Sequence, residues 1–494
     1  LPRVFSEFLD GDKPPLYLLL VTIWVRVSGT TEAGTRFLSL FCGVASIALV
    51  YALGVRLFSR KVALFSSALM ALSEFQIRYA QESRYYALLV LVTLLSFYVL
   101  LRALKHNLVS DWASLALVNA LLVYTHTYGS FVLLSQATYV IACWRSNGRL
   151  KYQWFLSQAL VLVVTSPTLL LTLRESLGGT LGPMSWLREP SLSLLVETLL
   201  IYVGSDYPSN ATVLAATGFL LGATVISWLA ERTNPWLAIR GLFARLPHAL
   251  HSLQRELMLL ACWLLGPWLV PWIISRTIEP IYAVRYTISA APALCLLLAF
   301  GVTAVRRVTP MTVVLGFVII SVTPGLVRHY SSDTKEDWRG AARYVEQNRR
   351  IGDAVVVPNA ILGRWAFDWY YEGPLAECEL EERKRRDDAA IVAAAKTCTG
   401  GSDRLWLILR GHRLEEESWR AAGLRLVDRQ ALFEVNLYLF DRTGEGASAL
   451  LSDSLCYLDP CHASGGSLRG HRIPIATPNP TRLPAASEVL VTTE

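Results

Sequence analysis

Residues 10–17, Asp-Gly-Asp-Lys-Pro-Pro-Leu-Tyr, stand at the start of a long hydrophobic protein. Proline fixes its own φ and biases the preceding residue toward extended geometry, so we expect Asp12 and Lys13 in an extended lead-in. Proline is also accepted in a helix's first turn, and the apolar residues 16–24 favour a helix directly afterwards. Charges at this point would be presented at a membrane surface, where an anionic ligand can be bound. The alternative is an ordinary solvated acidic turn before a helix.

The composition is that of a membrane protein with a soluble C-terminal part. Hydrophobic residues make up 53% of the 494-residue chain and charged residues only 17%, so much of it is expected in lipid. The net charge of +7 is explained by Arg and Lys beside a membrane and does not require a nucleic-acid partner. We predict a transmembrane domain at 1–328, an extracytoplasmic α/β domain at 329–442 and an irregular tail at 443–494.

About ten segments are apolar enough to span a bilayer, which needs roughly 20 residues and fewer where short helices pack together. They are 37–54, 62–78, 85–103, 112–126, 128–144, 152–173, 211–230, 257–275, 286–305 and 308–327. Residues 14–27 and 191–204 are shorter and favour helices lying along the membrane surface. The chain starts at Leu1 without a signal-like segment, and we expect at least one further span upstream.

The loops between these spans differ in charge. Arg and Lys concentrate in one alternating set, which includes Arg56, Arg60 and Lys61, and this set should be cytoplasmic. Both ends of the chain then face the outer side. The outer loops carry acids, among them Glu74 and Glu82, which are costly to keep at a membrane boundary and predict an outward-facing polar cavity. Solvated loop charges are the alternative.

Cysteine usage agrees with an outer C-terminal domain. Four cysteines lie inside apolar runs and are predicted to be small buried side chains: Cys42, Cys143, Cys262 and Cys295. The other four form two local candidate disulfides, Cys378–Cys398 and Cys456–Cys461, if the domain faces an oxidising compartment. Reduced, unrelated cysteines are the alternative, and the spacing is not that of a zinc site.

The C-terminal domain alternates helices with strands. Apolar residues at helical spacing begin at Trp338, and further helices are predicted at 361–371 and 413–422. Strands are predicted at 354–357, 404–409, 424–428 and 431–440. This alternation predicts a small α/β domain with a mainly parallel sheet.

Four stretches resemble membrane glycosyltransferases of the GT-C type, in the same order and with consistent topology. They are Asp-Lys-Pro-Pro-Leu-Tyr at 12–17, Tyr-Ala-Gln-Glu-Ser-Arg-Tyr-Tyr-Ala-Leu at 79–88, Tyr-Ala-Val-Arg-Tyr at 282–286 and Asp-Trp-Arg-Gly-Ala-Ala-Arg-Tyr at 337–344. More narrowly, they are similar to bacterial family 39, which includes protein O-mannosyltransferases and lipid A aminoarabinose transferases. The resemblance implies a polyprenyl-phosphate sugar donor and an acceptor that approaches from the outer side.

The resemblance also assigns roles. Lys13 would contact the donor phosphate, assisted by Arg84 and Arg285. An acceptor hydroxyl needs a carboxylate to take its proton, and the family's main candidate base would fall before Leu1. Of the acids present, Asp12 and Glu82 match acidic positions of the family's motifs and are predicted to be catalytic. No cofactor is firmly predicted; Asp12 is alternatively a ligand for a divalent ion (Mg²⁺ or Mn²⁺), although family members are commonly metal-independent.

Five more residues are predicted to contact substrate: Asp10, Tyr17, Gln81, His126 and Tyr286. For His126 the alternative is a packed, hydrogen-bonded histidine, and for Gln81 it is a helix cap.

The sequence thus predicts a mainly α polytopic integral membrane glycosyltransferase. It would sit in a bacterial inner membrane, with its site and C-terminal domain facing the periplasm. The sugar would pass from a polyprenyl-phosphate donor to a hydroxyl of a glycan, lipid or protein acceptor. The alternatives are a transporter or flippase of lipid-linked glycans and an inactive relative with a binding role. Transport would be favoured by inverted repeats and broken midplane helices, which the sequence does not reveal.

Overall fold

The chain divides into two compact units, Leu1–Ser332 and Asp333–Glu494. The structure is a computed structural model that describes residues 14–142, 148–177, 187, 189–203, 248–304, 323, 325–331, 335–358, 363–378, 380, 387–400 and 402–441. The predicted irregular tail at 443–494, the Cys456–Cys461 pair and Cys143 lie outside these residues.

The described part of the first unit is helical. Its helices are α1 (Pro15–Ser28), α2 (Glu32–Leu57), α3 (Arg60–Leu72), α4 (Glu74–Ala80), α5 (Tyr86–His106), α6 (Val109–Thr125), α7 (Gly129–Ala142), α8 (Gly148–Leu177), α9 (Leu192–Val203), α10 (His248–Thr277) and α11 (Ala291–Ala304). A 3₁₀-helix, Val284–Ala290, leads directly into α11. Residues 325–331 are also helical.

Four segments within the described residues are long and apolar enough to cross a membrane: Glu32–Leu57, Tyr86–His106, Arg255–Thr277 and Val284–Thr303. They contain four of the spans predicted from sequence, apart from one terminal residue at 85 and two at 304–305. The predicted span 211–230 and most of 308–327 lie outside the described residues, so the total of about ten remains a prediction. That α1 and α9 lie along the membrane surface also remains a prediction.

Helix α2 illustrates why these helices suit lipid. Its buried face carries small or polar residues, including Ser39 and Ser46, whose hydroxyls hydrogen-bond to carbonyl oxygens. Its exposed face carries large apolar residues, including Phe37, Phe41 and Val44. Small residues inside and large apolar residues outside is the arrangement expected where lipid replaces water around a helix bundle.

The predicted span 62–78 is not one continuous helix. The chain breaks at Ser73, between α3 and α4. The Ser73 hydroxyl accepts a hydrogen bond from the Gln76 N–H and donates one to the Tyr202 carbonyl at 2.9 Å. A side chain that caps a new helix competes with continuation of the old one, which explains the break.

The second unit contains α12 (Trp338–Asn348), β1 (Ala354–Val356), α13 (Arg364–Tyr370), α14 (Asp388–Cys398), β2 (Arg404–Arg410), α15 (Glu416–Ala421), β3 (Arg425–Leu432) and β4 (Val435–Asp441). The strand order is β1-β2-β4-β3. Among the described strands, β1 and β2 pair in parallel, whereas β4 is antiparallel to both β2 and β3.

The prediction of a mainly parallel sheet is therefore wrong. Two residues, Phe433 and Glu434, connect β3 to β4, and a connection that short can join only antiparallel neighbours. Helix α14 was also absent from the sequence-based prediction.

Two apolar cores pack on the sheet. One contains residues of α12 and α13, among them Trp338 and Phe367, and the other contains residues of α14 and α15, among them Ile391 and Trp419. The predicted Cys378–Cys398 disulfide is present and ties the segment after β1 to the end of α14. In the first unit, Cys42 and Cys295 are buried as predicted and Cys262 is half-buried.

Candidate active site

Three of the predicted site residues, Asp10, Asp12 and Lys13, lie outside the described residues. Tyr17 lies on α1, and the others fall on two loops and one helix junction of the first unit. Glu82 and Arg84 occupy the turn of residues 81–85 between α4 and α5, and Arg285 and Tyr286 occupy the 3₁₀-helix before α11. His126 lies between α6 and α7.

The turn 81–85 is short and tightly built. The Gln81 N–H donates to the carbonyls of Ile77 and Arg78, which ends α4, so the predicted helix-cap position of Gln81 is present. The Arg84 N–H donates to the Glu82 carbonyl at 2.8 Å. This hydrogen bond closes the turn between the two residues. The turn therefore carries both the Glu82 carboxylate and the Arg84 guanidinium.

Tyr17 supports the Arg84 end of this turn. Its fully buried hydroxyl lies 2.7 Å from the Ser39 hydroxyl, which donates to the Arg84 carbonyl at 3.1 Å. The neighbouring Ser83 hydroxyl donates to the Thr35 carbonyl at 3.2 Å. The Tyr17 hydroxyl therefore supports the turn through Ser39, and its contact with substrate stays a prediction.

Gln81, at the other end of the turn, has a different support. The buried His329 imidazole donates from Nε2 to the Gln81 Oε1 at 3.0 Å. His329 belongs to the helical segment 325–331, more than 240 residues away in sequence. Nothing in the sequence around His329 indicated this contact.

The second loop is fixed by side-chain hydroxyls. Ser275 accepts the backbone N–H groups of Ile281 and Tyr282 at 2.9 and 2.8 Å. The Tyr202 hydroxyl donates to the Thr287 carbonyl at 2.9 Å, so α9 braces the 3₁₀-helix. The 3₁₀-helix therefore presents Arg285 and Tyr286 from a fixed backbone.

Aromatic rings join the two loops. The His126 ring lies 4.9 Å from the ring of Tyr85, 5.0 Å from that of Tyr286 and 5.4 Å from that of Tyr128, measured between centroids. The ring of Tyr86 lies 6.3 Å from that of Tyr286. The stretches 79–88 and 282–286, which are distant in sequence, therefore meet around His126.

The hydrogen bonds of His126 define its protonation. Its Nδ1 accepts the Tyr128 N–H at 3.0 Å, and a ring nitrogen that accepts a hydrogen bond carries no proton. The imidazole is therefore neutral, with its proton on Nε2. The side chain is buried, so the alternative of a packed, hydrogen-bonded histidine describes its surroundings, while its contact with substrate stays a prediction.

The site has positive electrostatic character. The Arg84 and Arg285 guanidinium groups both lie close enough to the Tyr86 hydroxyl to interact with it electrostatically. Arg285 lies 5.4 Å over the Tyr286 ring, and Arg84 is 6% exposed. Two guanidinium groups near one phenol favour an anionic ligand such as a phosphate.

Two further carboxylates of the predicted outer loops form ion pairs with arginines. Glu74 is 2% exposed and lies 3.1 Å from the Arg78 guanidinium. Glu189 lies 3.2 Å from Arg276 in an exposed pair. Across the described residues, no group of three His, Cys, Asp or Glu side chains could hold a metal ion.

Comparison with known proteins identifies a family model and solved structures that this chain resembles. The sequence model of the family described as dolichyl-phosphate-mannose-protein mannosyltransferase matches residues 12–171. The structure superposes on the crystal structure of ArnT from Cupriavidus metallidurans in the apo state with a TM-score of 0.55 and 13% identity, over 87% of this chain and 88% of ArnT. The chain has an ArnT-like GT-C fold. The resemblance to GT-C membrane glycosyltransferases is thereby confirmed at the level of the fold, and the family model supports it over residues 12–171.

The GT-C fold is also matched in a second ArnT structure, bound to undecaprenyl phosphate, with a TM-score of 0.53 and 13% identity over 89% of this chain and 90% of that one. The oligosaccharyltransferase AglB from Archaeoglobus fulgidus, in complex with an inhibitory peptide and a dolichol-phosphate, matches with a TM-score of 0.42, 13% identity and coverage of 73% and 52%. No curated protein sequence gives a significant match. The family match includes the motifs at 12–17 and 79–88, whereas the motifs at 282–286 and 337–344 lie beyond it.

Proposed function

We propose that this chain is an integral membrane glycosyltransferase that moves a sugar from a polyprenyl-phosphate donor to an acceptor hydroxyl. The observation that carries the proposal is the meeting of Arg84, Arg285 and the Glu82 turn around the His126 aromatic cluster. The fold shared with an ArnT that binds undecaprenyl phosphate supports the donor class.

Arg84 and Arg285 bind the donor phosphate in this proposal, together with Lys13. As the bond between the anomeric carbon and the phosphate oxygen breaks, its electron pair stays on that oxygen and the phosphate gains charge. Guanidinium groups stabilise this charge by bidentate hydrogen bonds, an interaction that strengthens as the bond breaks. Arg285 is held on the fixed 3₁₀-helix, which limits the reorganisation needed during the reaction.

Glu82 accepts the proton of the acceptor hydroxyl, and Asp12 is the second candidate for this role. The acceptor oxygen forms its bond to the anomeric carbon while its proton passes to the carboxylate. Glu82 suits the role because its turn also carries Arg84, which fixes the base relative to the leaving phosphate. A fixed distance between base and leaving group is what an in-line displacement requires.

The aromatic cluster provides the sugar-facing wall. Tyr286 and the neutral His126 present ring faces, and the Nε2 proton of His126 is a hydrogen-bond donor for a sugar hydroxyl. A neutral donor adds no charge beside the two arginines. We place the site on the periplasmic side of a bacterial inner membrane and leave the acceptor as a glycan, lipid or protein hydroxyl.

The test measures sugar transfer from radiolabelled polyprenyl-phosphate sugars into acceptors in membranes that contain the protein. We expect Glu82→Gln to lower kcat at least 100-fold, and Arg285→Gln to raise the donor KM as well as lower kcat. The matched controls are Glu189→Gln and Arg276→Gln, which remove the members of an exposed ion pair and should leave transfer within twofold of wild type.

Wild-type activity in Glu82→Gln and Arg285→Gln, at normal expression, would contradict the assigned site. Absence of transfer from every donor, combined with movement of lipid-linked sugar across vesicle membranes, would instead favour the transporter. Donor binding without either activity would favour an inactive relative with a binding role.

A further inference from the structure

We propose that His329 is a positioning residue for the carboxylate end of the 81–85 turn, an inference that rests on the proposed function of that turn. The residue lies in the segment 325–331, outside the four motifs that the sequence singles out. Its Nε2 donates to the Gln81 Oε1 at 3.0 Å, and Gln81 directly precedes Glu82.

The two ends of the turn are held by different parts of the fold. At the Arg84 end, the Ser39 hydroxyl donates to the Arg84 carbonyl and the Ser83 hydroxyl donates to the Thr35 carbonyl. Both partners, Ser39 and Thr35, belong to α2. At the Gln81 end, the side-chain support comes from His329 on a separate segment. Loss of one support should therefore loosen one end of the turn while the other end stays in place.

Burial makes the His329 contact effective. The imidazole is 6% exposed, so water cannot easily replace its hydrogen bond to Gln81, and the bond retains its directional preference. The Gln81 N–H ends α4, and the side-chain bond to His329 adds a second restraint on the residue from which the chain continues into Glu82. A carboxylate displaced by about 1 Å can lose as much as two orders of magnitude in rate.

This asymmetry predicts a split in the kinetic constants. His329→Leu should lower kcat about tenfold, because Glu82 loses its position, while the donor KM stays within twofold because Arg84 keeps its Ser39 support. His329→Gln places an amide N–H within reach of the Gln81 Oε1 and should restore most of kcat. Val327→Ala is the matched control, because this residue of the same segment is 58% exposed, and it should behave as wild type.

A double-mutant cycle tests whether the effect passes through Gln81. Gln81→Leu, His329→Leu and the double variant should all lose a similar factor in kcat, since each removes the same hydrogen bond. Effects that multiply in the double variant, an equal loss in His329→Gln, or a donor KM that rises in parallel with the fall in kcat would overturn the inference.

Hydrogen–deuterium exchange on the full-length protein provides a readout that does not depend on activity. We expect faster amide exchange at residues 81–83 in His329→Leu than in wild type and His329→Gln, with unchanged exchange around Ser39. Unchanged exchange at residues 81–83 would overturn the inference. A wild-type protein that transfers no sugar contradicts the proposed function, and the exchange measurement still decides whether His329 anchors the turn.

Discussion

Substitution of Asn119 by leucine tests how the first unit fixes the helices that carry the site. Ser96 donates to the Asn119 Oδ1 at 2.5 Å, the Asn119 amide donates to the Gln136 Oε1 at 3.1 Å, and the Gln136 amide donates back to Ser96 at 2.6 Å. All three side chains are at most 1% exposed. This closed triad joins α5, α6 and α7, which present Tyr86 and His126 to the site.

The expected loss follows from the bonds that Asn119→Leu removes. Two of the three hydrogen bonds disappear, which leaves the Ser96 hydroxyl without an acceptor and the Gln136 oxygen without a donor. Bonds between membrane helices contribute about 0.6 kcal/mol on average and up to about 1.7 kcal/mol. We therefore expect a loss of about 1–3 kcal/mol in the free energy of unfolding, because two bonds break and two buried groups are stranded.

The triple variant Ser96→Ala, Asn119→Leu, Gln136→Leu is the sharper test. Apolar groups of similar shape in place of every member strand no polar atom, so its loss should be smaller than the sum of the three single losses. Unfolding in detergent, followed by circular dichroism, measures all four variants. A triple loss equal to the sum of the single losses would refute the closed triad. The folded fraction of each variant should keep wild-type kcat, because the triad lies about 10–15 Å along the helices from the site, at 1.5 Å per residue.

Three further outcomes are expected. Ser39→Ala should raise the donor KM about fivefold, the equivalent of one hydrogen bond of about 1 kcal/mol, with a smaller change in kcat. Cys378→Ser should lower the stability of the second unit by about 3 kcal/mol, because the disulfide to Cys398 closes a loop of 20 residues. Burial and a hydrogen bond to Asp428 raise the pKa of Tyr344 to about 12, so the stability that this contact adds should be complete below about pH 10 and lost as pH rises through 12.

Each of these has its own contradicting result. An unchanged donor KM in Ser39→Ala would remove the proposed support of the arginine end. Equal thermal stability of wild type with and without reductant would show that the disulfide contributes nothing. For the pH dependence of the Tyr344–Asp428 contact, Tyr344→Phe is the control. The free energy of unfolding of this variant should fall less between pH 10 and 12 than that of wild type. Parallel curves for the two proteins would contradict the assignment.

Most of the helices and strands could be predicted from the sequence, because the spacing of apolar residues and the length of apolar segments determine them. It predicted the span 85–103 that carries Tyr86, the span 286–305 that begins directly after Arg285, and the strand at 404–409. It failed where a single side chain or a short connection decides the structure. Ser73 splits a predicted span by capping α4, and the two-residue turn at Phe433 makes the last strand pair antiparallel.

In the candidate site, too, some residues could be predicted from the sequence and others could not. The motif at 79–88 and the Arg285-Tyr286 pair could be selected by resemblance, since the residue types and their order are visible in the chain. The contacts of Tyr17, Ser39 and His329 that are proposed to support the turn could not be predicted, because each partner is distant in sequence. Such contacts depend on tertiary packing, which cannot be predicted from the spacing of hydrophobic residues along the chain.

The separation of supports has a consequence for a donor whose lipid tail remains in the membrane. In the proposed mechanism, the lipid phosphate arrives with its position set by the bilayer, and the arginine end of the turn holds its charge at a fixed depth. The carboxylate end would instead meet an acceptor that arrives from another direction. The proposed anchors, Ser39 for Arg84 and His329 for Gln81, would let each end keep its own position, so variation at the His329 anchor should change base positioning without weakening phosphate binding. Kinetic constants that split between KM and kcat according to the anchor removed are the signature of this arrangement.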